Sequence, residues 1–170
     1  MYKYFSTAYK FGGFAGAMSI IAFLTLSFLY PDPTNLNLVF GYVITPISIF
    51  LAIKFFKEYS NEGYLSFSEG MSVGFVTYML EAFISLGGIW LILIIHPDLF
   101  DRVKDSKLEV LANSKDSIID QVGKTSFDFT LESITSMNAW DIALNDALWK
   151  IIPGLFFTII LSIILRKNPN

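Results

Sequence analysis

Apolar and polar positions fall in long blocks along this chain rather than alternating residue by residue. Phe11 to Tyr30 is a run of 20 residues without a charge. Leu36 to Ile53 is a second, closed by Lys54 and Lys57, and Met71 to Ile95 is a third of 25 residues, interrupted only by Glu81. Ile151 to Leu165 is a fourth, closed by Arg166 and Lys167. A helix rises about 1.5 Å per residue, so about 20 apolar residues cross a hydrocarbon core of ~30 Å. The fourth run reaches that length if it begins at Ala147 and Lys150 snorkels to the interface. The pattern predicts an all-α polytopic membrane protein with four transmembrane helices, at about 11–30, 36–56, 71–95 and 147–165. A helical extracytoplasmic loop, 96–146, joins the third to the fourth, and the whole is read as one membrane domain.

The first run is expected to be a retained helix. Its apolar core exceeds the ~7–15 residues of a signal peptide, and its A-x-A match, Ala15-Gly16-Ala17, precedes most of the apolar stretch. Pro31-Asp32-Pro33-Thr34-Asn35 predicts a tight turn, because prolines so close together cannot continue a helix. Tyr59 to Ser68 is a second short connection. In the third, Phe100, Val103, Val110 and Leu111 fit one helical face, Ile118, Ile119 and Val122 a second, and Leu131, Ile134 and Met137 a third. Two readings stay open for it: a small cap of two or three amphipathic helices, or a solvated helical hairpin that merely connects.

Composition agrees with the blocks. The chain is 54% hydrophobic and 16% charged, against about 25% charged in soluble domains, and its mean hydropathy is +0.55. With no cysteine, disulfides and cysteine nucleophiles are excluded; with a single histidine, His96, a zinc site is not expected. A net charge of −3 without a basic patch gives no support for nucleic-acid binding. No phosphate loop, Ser-His-Asp set or repeated metal spacing occurs, so no cofactor or enzymatic activity is expected. His96-Pro97-Asp98 spells the tripeptide of co-chaperone J-domains, but here it follows an apolar span and reads as a chance match.

Lys and Arg set the expected orientation. Lys3, Lys10, Lys54, Lys57, Arg166 and Lys167 lie on short segments at one membrane face. Arg102, Lys104, Lys107, Lys115, Lys124 and Lys150 lie on the other, most of them spread along the long loop. Short segments near the membrane carry the weight, so both termini are expected in the cytoplasm. Trp90, Trp140 and Trp149 then fall toward the outer interface, where indole rings prefer to sit.

Glu81 is the candidate functional residue, since a carboxyl in mid-membrane is costly. Steps of three and four residues from it select Gly70, Gly74, Thr77, Ser85 and Gly88, one small and polar helix face. Thr45 and Ser48, beside Pro46 in the second span, could face it or satisfy the carbonyl freed by the proline. The site reads either as a proton- or substrate-binding carboxyl or as a neutral acid that pins helix packing. Gly12, Gly13, Gly16 and Ala17 add a small surface on the first helix, suited to internal packing or to a second chain.

Gly63-Tyr64-Leu65-Ser66-Phe67-Ser68-Glu69-Gly70 followed by Val73-Gly74-Phe75 resembles the loop-to-third-helix signature of domain-of-unknown-function family 4199. His96-Pro97-Asp98-Leu99-Phe100 and the ending Ile163-Ile164-Leu165-Arg166-Lys167 are similar to the same family, and the resemblance covers nearly the whole chain. It implies a four-helix protein of the bacterial inner membrane, from Gram-negative organisms, and no activity. The outer segment departs from the family in replacing part of a Glu- and Lys-rich helix with Ser and Thr. Two functions follow as expectations. The first is a non-enzymatic subunit, meeting a membrane-protein partner or a second copy through its glycine-rich faces within the lipid bilayer. The second is a small transporter or proton-coupled carrier using Glu81, against which stands the lack of a second intramembrane charge.

Overall fold

The computed structural model describes residues 2–168, and among them every long element is an α-helix. Four helices are long and apolar enough to cross a membrane: α1 (Tyr2–Leu29), α2 (Thr34–Phe55), α3 (Phe67–Ile95) and α7 (Ala139–Ile164). Their flanks carry Phe14, Phe28, Phe83, Ile152 and Phe156, each more than half exposed. In water such a surface would be an aggregation patch; in a bilayer it is the lipid-facing side.

Local chemistry sets each boundary. Asp32 Oδ1 accepts from the Thr34 backbone N–H at 2.8 Å and from Thr34 Oγ1 at 2.6 Å, closing the proline turn onto the start of α2. The last turn of α2 widens to a π-type turn over Phe56–Ser60. Glu62 and Gly63 then take positive φ to reverse the chain. Ser66 and Glu69 form a capping box at the start of α3, and Asn138 and Asp141 form one at α7. Leu65 and Lys167 exchange backbone hydrogen bonds of 2.8 and 2.9 Å, fastening the end of the chain beneath the α2–α3 turn.

Between α3 and α7 the chain is helical, in three pieces: α4 (Pro97–Asn113), α5 (Lys115–Val122) and α6 (Lys124–Ser136). Pro97 starts α4, and Gly123, at φ +86°, breaks α5 from α6. Leu99, Val103, Leu111 and Phe127 are buried beneath this cap. Lys104 Nζ donates to the Thr135 carbonyl and joins α4 to α6. Val110 and Val122, assigned to buried faces by their spacing, are exposed.

Within the bundle α3 packs along both α1 and α7, α2 closes the ring against the same two helices, and α2 and α3 meet across its centre. Glycines let the helices close. A Cβ on Gly12 would lie 2.5 Å from the Thr77 carbonyl oxygen, and one on Gly16 2.7 Å from Ile84 Cβ. Gly70 and Gly74 meet Ser162 and Thr158 of α7 in the same way, and Gly154 meets Tyr78. One apolar core near the chain termini includes Ile49, Ile53, Phe56, Leu65 and Val73. A second, beneath the cap, includes Phe23, Ile89, Leu93, Val103 and Ile142. Between the two lies a layer of buried polar side chains.

Candidate functional site

That layer is built from three helix faces. On α2, Asn37, Gly41, Thr45 and Ser48 recur at steps of 4, 4 and 3; on α3, Glu81 and Ser85 are one turn apart; on α7, so are Asp146 and Lys150. Asn37, Thr45, Glu81, Ser85 and Lys150 are at most 2% exposed, and Ser48 and Asp146 6%.

Glu81 Oε1 accepts a hydrogen bond of 2.8 Å from Thr45 Oγ1, and Oε2 a longer one of 3.4 Å from Ser48 Oγ. Both donors lie within two residues of Pro46, inside the continuous helix α2, so the proline stands opposite the carboxyl of α3. In a regular helix a threonine hydroxyl commonly returns to the carbonyl one turn back; Thr77 does so, to Val73 at 2.8 Å. Thr45 instead spends its proton across the bundle.

One turn toward the cap, Asp146 collects three donors. Asn37 Nδ2 donates to Oδ1 at 2.7 Å, Ser85 Oγ to Oδ2 at 2.7 Å, and Lys150 Nζ pairs with Oδ2 as well. The lysine crosses Gly41 of α2, where a Cβ would stand 3.5 Å from Cε and 3.9 Å from Nζ. Ser85, one turn from Glu81, and Gly41, one turn from Thr45, set this ion pair alongside the Glu81 site. Lys150 therefore has one carboxyl partner, Asp146, in a layer that also holds the Glu81 carboxyl. A buried ammonium and carboxylate survive desolvation only when paired and further hydrogen-bonded, which is the arrangement around Asp146.

Two expectations are corrected by this layer. Lys150 does not snorkel to the interface; it turns into the bundle, because Asp146 one turn back and the gap over Gly41 offer it a partner and a path. Glu81 is not the lone buried charge of the four long helices, since Asp146 and Lys150 are buried on α7, a helix that starts at Ala139.

The other predicted residues divide. Thr45 and Ser48 meet Glu81, and Ser85 joins the layer through Asp146. Thr77, Gly74 and Gly88 lie on the same face of α3 but serve packing, against α1 backbone, Thr158 and Ile20. Sequence reasoning missed Asn37, Asp146 and Lys150. The signal was present: Asp146, Lys150, Gly154, Thr158 and Ser162 recur every fourth residue, a polar stripe matching that of α3. Placing the start of the span at 147 hid it.

A cavity of about 400 Å³ opens between the cap, α2 and α7, and Asp146 lies on its wall. Phe23, Leu38, Ile89 and Ile142 give it apolar sides, and Lys107, Asp141 and Asn145 polar ones. Lys107 is itself held by Asp32 Oδ2 and by Thr34 Oγ1, both at 2.9 Å, linking α4 to the α1–α2 turn. No cluster of metal-ligating side chains occurs among the described residues.

The fold and this layer define an all-helical integral membrane protein with ionisable groups buried in its spans. Residues 10–167 match the family model described as Protein of unknown function (DUF4199), and the chain belongs to that family. No curated protein and no solved structure matches it.

Proposed function

We propose that this protein is a small proton-coupled carrier in which Glu81, Asp146 and Lys150 bind and exchange a proton against a polar solute. The observation that carries the reading is the buried Asp146–Lys150 pair in the same polar layer as Glu81, with Asp146 on the wall of a cavity beside the cap. The layer holds two buried carboxyls and a single ammonium, which pairs with Asp146. A proton or a cationic group on one carboxyl therefore alters the demand on the other, which is the coupling a carrier needs. The objection that the spans hold a single charge no longer applies. The glycine-rich faces that favoured a subunit role are largely occupied within the chain, at Gly12, Gly16, Gly70 and Gly74. In this reading the membrane is the bacterial inner membrane, the cap and its cavity face outward, and the termini are cytoplasmic, in line with the Lys and Arg on the short segments.

Infrared difference spectroscopy between acid and alkaline pH tests the proposal on purified protein. It reads the C=O stretch of a protonated buried carboxyl directly. The expected result is a band that titrates reversibly and disappears in Glu81→Gln. Absence of a titrating band in a folded wild-type protein would refute proton exchange at Glu81.

A further inference from the structure

Resting on that carrier reading, we infer that the cap-side cavity receives a small organic cation, a primary ammonium with a short apolar body. Three observations converge on this class. The first is the balance of charge around the cavity. Lys107 is neutralised by Asp32 and Asp146 by Lys150, which leaves Asp141 as the wall charge without a cationic partner among the described residues.

The second is an imbalance of donors and acceptors. Asn37 Oδ1 is buried without a hydrogen-bond donor among the described residues, while the Nδ2 of the same amide is committed to Asp146. Asn37 is not on the cavity wall, but its free acceptor stands behind the wall carboxylate Asp146, surroundings that favour N–H donors over further acceptors. An ammonium has three N–H donors and a carboxylate ligand has none.

The third is the field of the cap. From His96 to Asp146 there are ten Asp and Glu residues against five Lys and Arg. A surface of that sign concentrates cations at the cavity mouth and repels anions. The volume of about 400 Å³ lies within the range of small-ligand sites, and Phe23, Leu38, Ile89 and Ile142 supply contact for a short alkyl chain. On entry the ammonium lies between Asp141 at the rim and Asp146 on the inner wall.

Titration calorimetry of the detergent-solubilised full chain tests the ligand class with three probes of similar size: butylammonium, butyrate and butanol. Saturable binding of butylammonium is expected, with both others at least ten-fold weaker, the scale of about one charge-assisted hydrogen bond. Asp146→Asn should weaken butylammonium about ten-fold or more, and Asp141→Asn, on the exposed rim, should weaken it by a smaller factor. Preferred binding of butyrate would make the cavity an anion site and overturn the inference. Equal binding of butanol would make it an apolar pocket and overturn the inference as well, and so would no binding of any probe to folded protein. None of these results bears on the infrared titration of Glu81, so the two proposals fail separately.

Discussion

Removing the Lys150 ammonium while keeping its length and apolar stem, as in Lys150→Met, leaves the Asp146 carboxylate buried with two neutral donors, Asn37 and Ser85. Breaking a buried ion pair by deleting one partner costs about 3–5 kcal/mol. A lone charged side chain at mid-span costs roughly 2.5–3.5 kcal/mol on insertion scales. The two retained hydrogen bonds place the expected loss near the lower end, about 3 kcal/mol. Asp146→Asn, which strands the ammonium instead, should cost a similar amount. The double variant Asp146→Asn/Lys150→Met strands no charge and keeps an acceptor for Asn37, so it should be more stable than either single variant, by about 2 kcal/mol. Equilibrium unfolding in mixed micelles, read by helical circular dichroism, measures all four corners of the cycle. Losses that add to within about 0.5 kcal/mol would show that the two groups do not interact. A neutral Lys150→Met would mean that the ammonium reaches water, and the buried pair would have to be abandoned.

Other consequences can be measured in the same micelles. Gly12→Ala drives a Cβ to 2.5 Å from the Thr77 carbonyl oxygen, which cannot yield without moving α3, and should cost about 1–3 kcal/mol. Gly13→Ala meets nothing within 4 Å and should be neutral; equal losses would refute the α1–α3 packing. Glu81→Gln keeps an acceptor for Thr45 and can donate its amide N–H to Ser48 Oγ, so it should unfold close to wild type, while Glu81→Leu loses both contacts and should cost about 1 kcal/mol. A Leu variant as stable as the Gln variant would remove Glu81 from the packing of α2 on α3. Amide hydrogen exchange should be slow at Val103 and Leu111, buried under the cap, and fast at the exposed ends of α5. Uniformly fast exchange from Asp98 to Met137 would make the cap a loose connector.

The helical architecture was legible because hydrocarbon is an unforgiving solvent. Runs such as Phe11 to Tyr30 have few other uses, and the prolines at 31 and 33 had to interrupt the helix, although Thr34 and Asn35 of the expected turn already belong to α2. The helical character of 96–146 was legible too, but not its faces: Val110 follows the period and is exposed, since a short cap helix lying on a bundle buries a narrower stripe than periodicity implies. Glu81 and its neighbours Thr45 and Ser48 stood out as polar residues in apolar runs. Asp146 and Lys150 did not, because at the edge of an apolar run a charged residue ordinarily marks where the membrane ends. Their pairing depends on Ser85 and Asn37, which lie 61 and 109 residues away from Asp146 in the chain. Only the packing of α2, α3 and α7 brings these groups together, and no local pattern encodes it.

A carrier of this design needs, above all, an aqueous route from the cap side to the Asp146–Lys150 pair, and a single cysteine tests for it. The chain has no cysteine of its own, so Asn145→Cys places one thiol on the cavity wall beside Asp146. Leu155→Cys, on an exposed apolar flank of α7, supplies a lipid-facing control. A membrane-impermeant, charged thiol reagent is added to intact spheroplasts, and labelling is followed with time. Rapid labelling at position 145, slowed by butylammonium, with none at position 155, is the predicted result. Labelling of 145 only after the membrane is broken would reverse the proposed orientation. No labelling at 145 under either condition would close the cavity to water and contradict the carrier.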